Sequence, residues 1–298
     1  MSTKFQLPAD SLRLGLPSGS MQKSTFDLFD KAGYHVSVRD RSVYPNIDDD
    51  KVSAILFRAQ EISRYIVDGI IDCGLTGHDW IVENGNADDV VEVCRLTYSR
   101  ASSKKARWVL CVPEESDVTT PEQLEGKLIA TELVNVTKRY FADKGIDVRC
   151  EFSWGTTEIK ARIVDAIVDL TESGSSLRAN NLRVIDTLLE SDIRFVASRE
   201  AWDVPWKRQK MEDMALLLEA AIRARRKVGL KLNCTPEVRD KIFGYLPSLK
   251  SPTVNQTADG GYAIEVIIDE AEERDLAPRL KRDGATEIFS YPLNKIIP

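Results

Sequence analysis

The sequence predicts an α/β fold of mainly parallel sheet followed by a separate small unit of order β-α-β-β-α-β. Three observations predict it. Short apolar runs alternate with amphipathic segments through roughly the first 220 residues, the pattern of strands joined by helical crossovers. The periodicity then lapses between Trp202 and Arg208, and a helix-period segment follows. From Val228 to Pro298 the strand and helix signals become closely spaced.

Element by element, Leu12–Leu16 reads as a strand, followed by Pro17-Ser18-Gly19-Ser20 and a helix over Gln22–Ala32. Tyr34–Arg39 and Ala54–Arg58 read as strands, Gln60–Asp68 as a helix and Ile70–Leu75 as a buried strand. Val90–Leu96, Trp108–Val112 and Leu128–Thr131 are further strands. A helix over Asn135–Lys144 is stopped by Gly145, and the strand Asp147–Phe152, a helix Glu158–Val164 and the strand Ala166–Leu170 follow. Over Gln209–Arg226, Met211, Met214, Ala215, Leu218, Ala221 and Ile222 form one apolar helix face, and Arg223–Lys227 is its solvated end. Val228–Asn233 is then a strand, and Thr235-Pro236-Glu237 opens a helix with a cap and a first-turn proline. Ser251–Gln256 and Tyr262–Ile268 flank a Gly260-Gly261 turn, Asp269 caps a helix to Arg282, Gly284 ends it, and Thr286–Tyr291 is the last strand. This order is the ferredoxin-like arrangement.

Composition excludes several functions. The 298 residues carry a formal charge of -6, which argues against electrostatic wrapping of nucleic acid. No apolar run reaches the length a membrane helix needs, and Met1–Gln6 is polar with no signal core behind it, so the expected location is cytoplasmic, with no membrane and no nucleic-acid partner. The five cysteines, Cys73, Cys94, Cys111, Cys150 and Cys234, are widely spaced and read as buried small hydrophobes. Only two histidines, His35 and His78, are available, and neither lies near a second metal-ligand candidate at zinc spacing or in the setting of a catalytic triad.

Asp165–Leu182 is the stretch that carries chemistry. A buried strand ends in Thr171-Glu172-Ser173-Gly174-Ser175-Ser176, where a helical turn starts. Glycine permits close backbone approach, the serines supply hydroxyl donors and first-turn amides face a bound anion. Two readings fit this spacing equally: a cradle for a phosphomonoester, with Asp169 and Glu172 facing sugar hydroxyls, or a helix cap in a surface loop.

The segment resembles the 5-phosphoribosyl-1-pyrophosphate (PRPP) loop of the ATP phosphoribosyltransferase family, and the resemblance covers nearly the whole chain. It rests on Gln22-Lys23-Ser24, on Val67-Asp68-Gly69-Ile70-Ile71-Asp72-Cys73-Gly74-Leu75-Thr76-Gly77, and on Gly126-Lys127-Leu128-Ile129-Ala130-Thr131. It continues through Lys138-Arg139-Tyr140, Lys144-Gly145-Ile146, Gly155 to Glu158 and Asp165 to Leu170. Leu170 stands where nucleobase-salvage phosphoribosyltransferases carry a second acid, in keeping with this family. The resemblance implies a two-lobed, periplasmic-binding-protein-like catalytic core with a C-terminal ferredoxin-like (ACT-like) regulatory domain, the long form. The implied division is 1–100 with a return segment 187–210 for lobe I, 101–186 for lobe II, 211–227 for a linking helix and 228–298 for the regulatory domain.

The implied reaction is attack of ATP N1 on PRPP with loss of pyrophosphate, using Mg²⁺, as the first step of histidine biosynthesis. The implied 5-phosphate residues are Ser173, Gly174, Ser175, Ser176 and Leu177, with Asp169 and Glu172 on the ribose. Asp169, Lys23 and Arg58 are the candidate catalytic residues, and Lys23, Arg58, Asp79 and Glu158 the candidate ATP site. Trp154 is either a core residue, the favoured reading, or a platform for adenine. Metal ligands stay unassigned. L-histidine as inhibitor is implied at Asn233, Ser251 and Thr253, with AMP as a further ligand and a homo-hexamer that exchanges with dimers. Two other readings stay open, a solute-binding or sensor protein of the same fold and a different phosphoribosyltransferase.

Overall fold

The computed structural model describes residues 10–96, 105–247 and 251–297. It divides into a unit ending at Ala215 and a unit beginning at Leu216. In the first unit the chain runs β1 (Leu12–Pro17), α1 (Gln22–Ala32), β2 (Val36–Ser37), β3 (Asn46–Ile47), β4 (Val52–Phe57), α2 (Ala59–Val67), β5 (Cys73–Gly77), α3 (His78–Glu83) and β6 (Val90–Leu96). It continues through β7 (Ala106–Pro113), β8 (Leu128–Thr131), α4 (Val134–Asp143), β9 (Arg149–Phe152), α5 (Thr157–Lys160), β10 (Ala166–Thr171), α6 (Ser175–Ala179), β11 (Leu182–Ser191), β12 (Ile193–Ser198), α7 (Arg199–Trp202) and α8 (Pro205–Ala224), the last reaching into the second unit.

Two five-stranded sheets result, ordered β4-β1-β5-β12-β6 and β11-β7-β10-β8-β9. The chain builds lobe I as far as β6, crosses to build lobe II, and returns once through β12. That double crossing is the periplasmic-binding-protein-like core. The expectation of mainly parallel sheet is corrected: β1 pairs parallel with β4 and β5, but β12 runs antiparallel to β5 and β6. In lobe II, β8 pairs parallel with β9 and β10, but β7 runs antiparallel to β10 and β11. A strand that re-enters a sheet after building another lobe has no crossover helix to make it parallel. The return also starts later than residue 187, because Thr187–Ser191 still pair with Val109–Ala106 in lobe II.

Alternation along the strands explains the buried layers. Trp108, Leu110, Val112, Ala166 and Val168 face one core of lobe II, with Phe141 and Leu133. Val109, Cys111 and Ile167 face the other, with Leu177 and Leu182. In lobe I, Ile62 and Ile66 of α2 pack with Ile71, Ile81, Val90 and Val196. The described cysteines are all free; four are buried and Cys150 is half-buried.

The second unit holds β13 (Lys227–Cys234), α9 (Pro236–Phe243), β14 (Thr253–Gln256), β15 (Tyr262–Asp269), α10 (Glu270–Arg282) and β16 (Thr286–Pro292). Its sheet is ordered β14-β15-β13-β16 and every pair is antiparallel, the ferredoxin-like order. Leu230, Leu232, Ile264, Val266, Ile268, Leu276 and Leu280 close one core beneath the helices. Thr235 caps α9 by accepting from the Val238 amide. Asp269 does not cap α10 through its side chain, which instead takes an ion pair from Lys227 at 2.7 Å.

Candidate active site

A cleft of about 440 Å³ opens in the first unit. Its walls come from the turn after β1 (Ser18, Ser20), the start of α2 (Arg58, Gln60), the start of α3 (Asp79, Trp80), β7 with its approach (Lys105, Trp108) and the carboxyl ends of β8 and β10 (Glu132, Asp169, Glu172). Ligands of open α/β sheets bind at such carboxyl ends.

Asp169 ends the buried part of β10 and accepts the Leu170 amide at 2.8 Å. Burial pushes its carboxyl up to about 6, Glu158 and Glu132 add to the rise, and the Leu170 amide opposes it. The turn beyond it is ordered by its own polar groups. Thr171 Oγ1 accepts the Gly174 amide at 2.9 Å, Ser173 and Ser175 hydroxyls bond at 3.0 Å, and Arg178 donates to the Ser173 carbonyl at 3.2 Å. Gly174 has φ +73, and a Cβ there would fall 2.9 Å from Arg178 Nη1. Leu177, expected at the 5-phosphate, is 2% exposed and packed in the lobe II core, so only its amide can face a ligand. Its side chain anchors the turn.

Glu158, expected in the ATP site, instead accepts from the Ser176 hydroxyl and so belongs to this turn. Lys23 is an exposed residue of α1 and does not line the cleft. Arg58 follows β4 as expected and lies against the Gly19 turn. Trp154 is 92% exposed, which overturns the reading as a core residue; its ring meets Phe152 edge-on at 4.8 Å.

Asp79 lines the cleft but is 4% exposed and held within the protein. Trp108 Nε1 donates to Oδ2 at 2.7 Å, the Trp80 amide donates to Oδ1 at 3.0 Å, and the Asp79 amide donates to Ser191 Oγ at 3.1 Å. Burial raises its pKa against these hydrogen bonds. The carboxylate folds over Gly77, where an added Cβ would meet Oδ1 at 2.0 Å. Glu83, at the end of the same helix, accepts the Asn135 and Val136 amides of lobe II, each at 2.9 Å. The short α3 thus contacts lobe II at both of its ends.

Sequence reading missed Gln60, Lys105, Trp108 and Glu132. Each reaches the cleft from a different segment, and the local signal at each was only that of a helix start, a charge or a strand apolar. Among the described residues no group of three ligating side chains marks a metal site.

In the second unit Asn233 lines a cavity of about 370 Å³ with Thr257, Asp259, Gly261 and Glu287. Its amide donates to Glu287. Ser251 and Thr253 are exposed and not among the walls, since Thr253 pairs with Glu265 opposite Lys231, two residues along from Asn233. The structure does not bring the three together in one cavity.

Fold and cleft define a two-lobed α/β core of the kind that holds a small ligand between its lobes, here carrying a C-terminal ferredoxin-like domain. The chain belongs to the ATP phosphoribosyltransferase family, which makes it an enzyme of the pentosyltransferase class. The family profile for ATP phosphoribosyltransferase matches residues 58–220, and that for its C-terminal domain matches residues 224–295. The chain is 54% identical over 299 aligned positions to the ATP phosphoribosyltransferase of Prosthecochloris aestuarii, covering 100% of both chains. It is 52% identical to that of Thermodesulfovibrio yellowstonii, covering 96% of this chain and 98% of the relative. The ATP phosphoribosyl transferase (HisG:HisZ) complex from Thermotoga maritima shares the fold with a TM-score of 0.59 at 24% identity, over 70% of this chain and 98% of that one.

Proposed function

We propose that the protein transfers the 5-phosphoribosyl group of PRPP to N1 of ATP, giving N1-(5-phospho-β-D-ribosyl)-ATP and pyrophosphate, the first step of L-histidine biosynthesis. The observation that carries this reading is Asp169, ionisable and half-buried, entering the cleft on the strand that runs directly into the Ser173–Ser176 turn. The turn's hydroxyls and first-turn amides suit the 5-phosphate, and Asp169 and Glu172 suit the ribose hydroxyls. Arg58 and Lys105, from opposite lobes, suit the phosphates of pyrophosphate or ATP.

The N1 lone pair forms the bond to the anomeric carbon as the bond to pyrophosphate oxygen breaks. N1 carries no proton, so no strong base is required. Positive charge on the ribosyl ring is opposed by the carboxylates of Asp169 and Glu172, while the two lobes align acceptor and donor. Asp169 and Glu172, oxygen donors on the cleft wall, would suit Mg²⁺, which usually binds through phosphates and one or two carboxylates. Bound there, it would neutralise charge on the leaving pyrophosphate.

L-histidine as a feedback inhibitor acting through the second unit, AMP as a competing nucleotide, and a hexamer exchanging with dimers complete the proposal. The product identifies the reaction. Nuclear magnetic resonance should show the new ribosyl carbon bonded to N1 of adenine in the β-configuration; attachment at any other purine nitrogen contradicts it.

A further inference from the structure

Glu132 is the first residue after β8, at the carboxyl edge of the lobe II sheet. β8 and β10 run parallel with Thr131 opposite Val168, so Glu132 stands level with Asp169 on the next strand. Both acids line the cleft, and the Glu132 charge raises the Asp169 carboxyl. Asp169 precedes the phosphate turn on its own strand. Glu132 lies one strand away from that turn and meets Gln60, which enters from lobe I at the start of α2.

Among the described residues Glu132 makes no ion pair, although it is half-buried. Asp79, the neighbouring acid of the cleft, has its carboxylate held by Trp108 and the Trp80 amide. Burial and the Asp79 charge push the Glu132 carboxyl up, and the Gln60 amide only partly opposes this. A carboxylate placed this way gains most when positive charge arrives beside it.

The proposed reaction generates such a charge. Adenine is neutral before attack. Once the N1 lone pair has bonded to the anomeric carbon and the electron pair of the broken bond has left with pyrophosphate, the purine is a cation. Its charge spreads over N1, C6 and the exocyclic N6, which keeps both protons, so no proton transfer is involved.

We propose that Glu132 is a catalytic residue that accepts a hydrogen bond from the acceptor purine's N6 amino group and stabilises the charge developing on the ring. This rests on the proposed transfer to ATP N1. The interaction is stronger in the transition state and product than with neutral ATP, so it accelerates the step rather than merely tightening substrate binding. Gln60, bonded to Glu132 from the opposite lobe, orients the carboxylate and is a positioning residue.

The test uses the full chain, wild type and Glu132→Gln, with ATP and N1-methyl-ATP as probes, the second carrying the ring cation without reaction. In Glu132→Gln, kcat should fall on the order of 100-fold, as for loss of a charge-stabilising group. ATP affinity by calorimetry should change by less than about threefold while N1-methyl-ATP affinity falls at least tenfold, a split set by the added ring charge. Glu132→Asp should restore part of the preference for the cation, which a purely structural role would not do. Unchanged kcat in a folded variant, or equal loss of both nucleotides, overturns the assignment. If wild type releases pyrophosphate with ATP and Glu132→Gln does so equally well, only the role of Glu132 fails; if wild type itself does not use ATP, the proposed reaction fails and the role falls with it.

Discussion

The indole of Trp108 donates a 2.7 Å hydrogen bond to the carboxylate of Asp79, joining β7 of lobe II to α3 of lobe I at the edge of the cleft. A buried carboxylate that loses one such donor is left under-solvated.

Trp108→Phe keeps an aromatic ring in the lobe II core but removes the donor along with part of the buried indole. It should lower stability by about 1–3 kcal/mol, the cost of an unsatisfied buried polar group. Denaturant titration measures this directly. A change below about 0.5 kcal/mol would show that the Asp79 contact contributes nothing to stability, as is usual for surface substitutions.

Asp169 gives a signed pH dependence. Its folded-state pKa of about 6 exceeds the ordinary value of 3.8, so ionisation opposes folding, increasingly between those two values and fully above them. Asp169→Asn should therefore be more stable than wild type above pH 6, by on the order of 2 kcal/mol, and no more stable below pH 4. Activity should move the other way. In wild type kcat/KM for PRPP should fall as pH drops through about 6, and that limb should vanish in the weakly active variant. Parallel melting and rate profiles check both signs.

At Gly174 the left-handed backbone and the nearby Arg178 guanidinium both oppose a side chain. Gly174→Ala should cost about 1–2 kcal/mol in local strain and lose PRPP affinity, while Gly174→Val should abolish PRPP binding in a folded protein. Calorimetry with PRPP measures this; near-native affinity in Gly174→Val would remove the turn from the substrate site.

Inhibition should depend on the second unit, which closes its own core. Removal of residues from Val228 onward should leave the lobes folded and active but insensitive to L-histidine. In the full chain the coupling must be reciprocal, so PRPP and ATP should weaken histidine binding by the factor with which histidine weakens theirs. Inhibition that survives the truncation, or none in the full chain at millimolar histidine, contradicts the regulatory reading.

Elements with uninterrupted periodicity were legible in the sequence. α1, β6 and β8 occupy the residues read for them, because each has a strong apolar pattern and a clear stop. α3 escaped notice because it is six residues long and starts straight after β5 without a loop. β11 was hidden by irregular register between Val184 and Asp186 and between Thr187 and Leu189, which breaks the alternation. The helix read over Glu158–Val164 shortens to Thr157–Lys160, since Ile159 and Ile163 stay exposed and give it no face to bury. In the cleft, Asp169 and the serine turn were legible because strand, glycine and serines are contiguous. Glu132, Gln60 and Lys105 were not, because only the folded lobes bring them together.

The central claim is that ATP, and not a free base, accepts the phosphoribosyl group. Pyrophosphate release from PRPP should be measured with ATP and, in parallel, with adenine, hypoxanthine, guanine and uracil as sole acceptors. The account predicts rapid, Mg²⁺-dependent release with ATP alone and background release with every base. Release that a free base supports and ATP does not would contradict it.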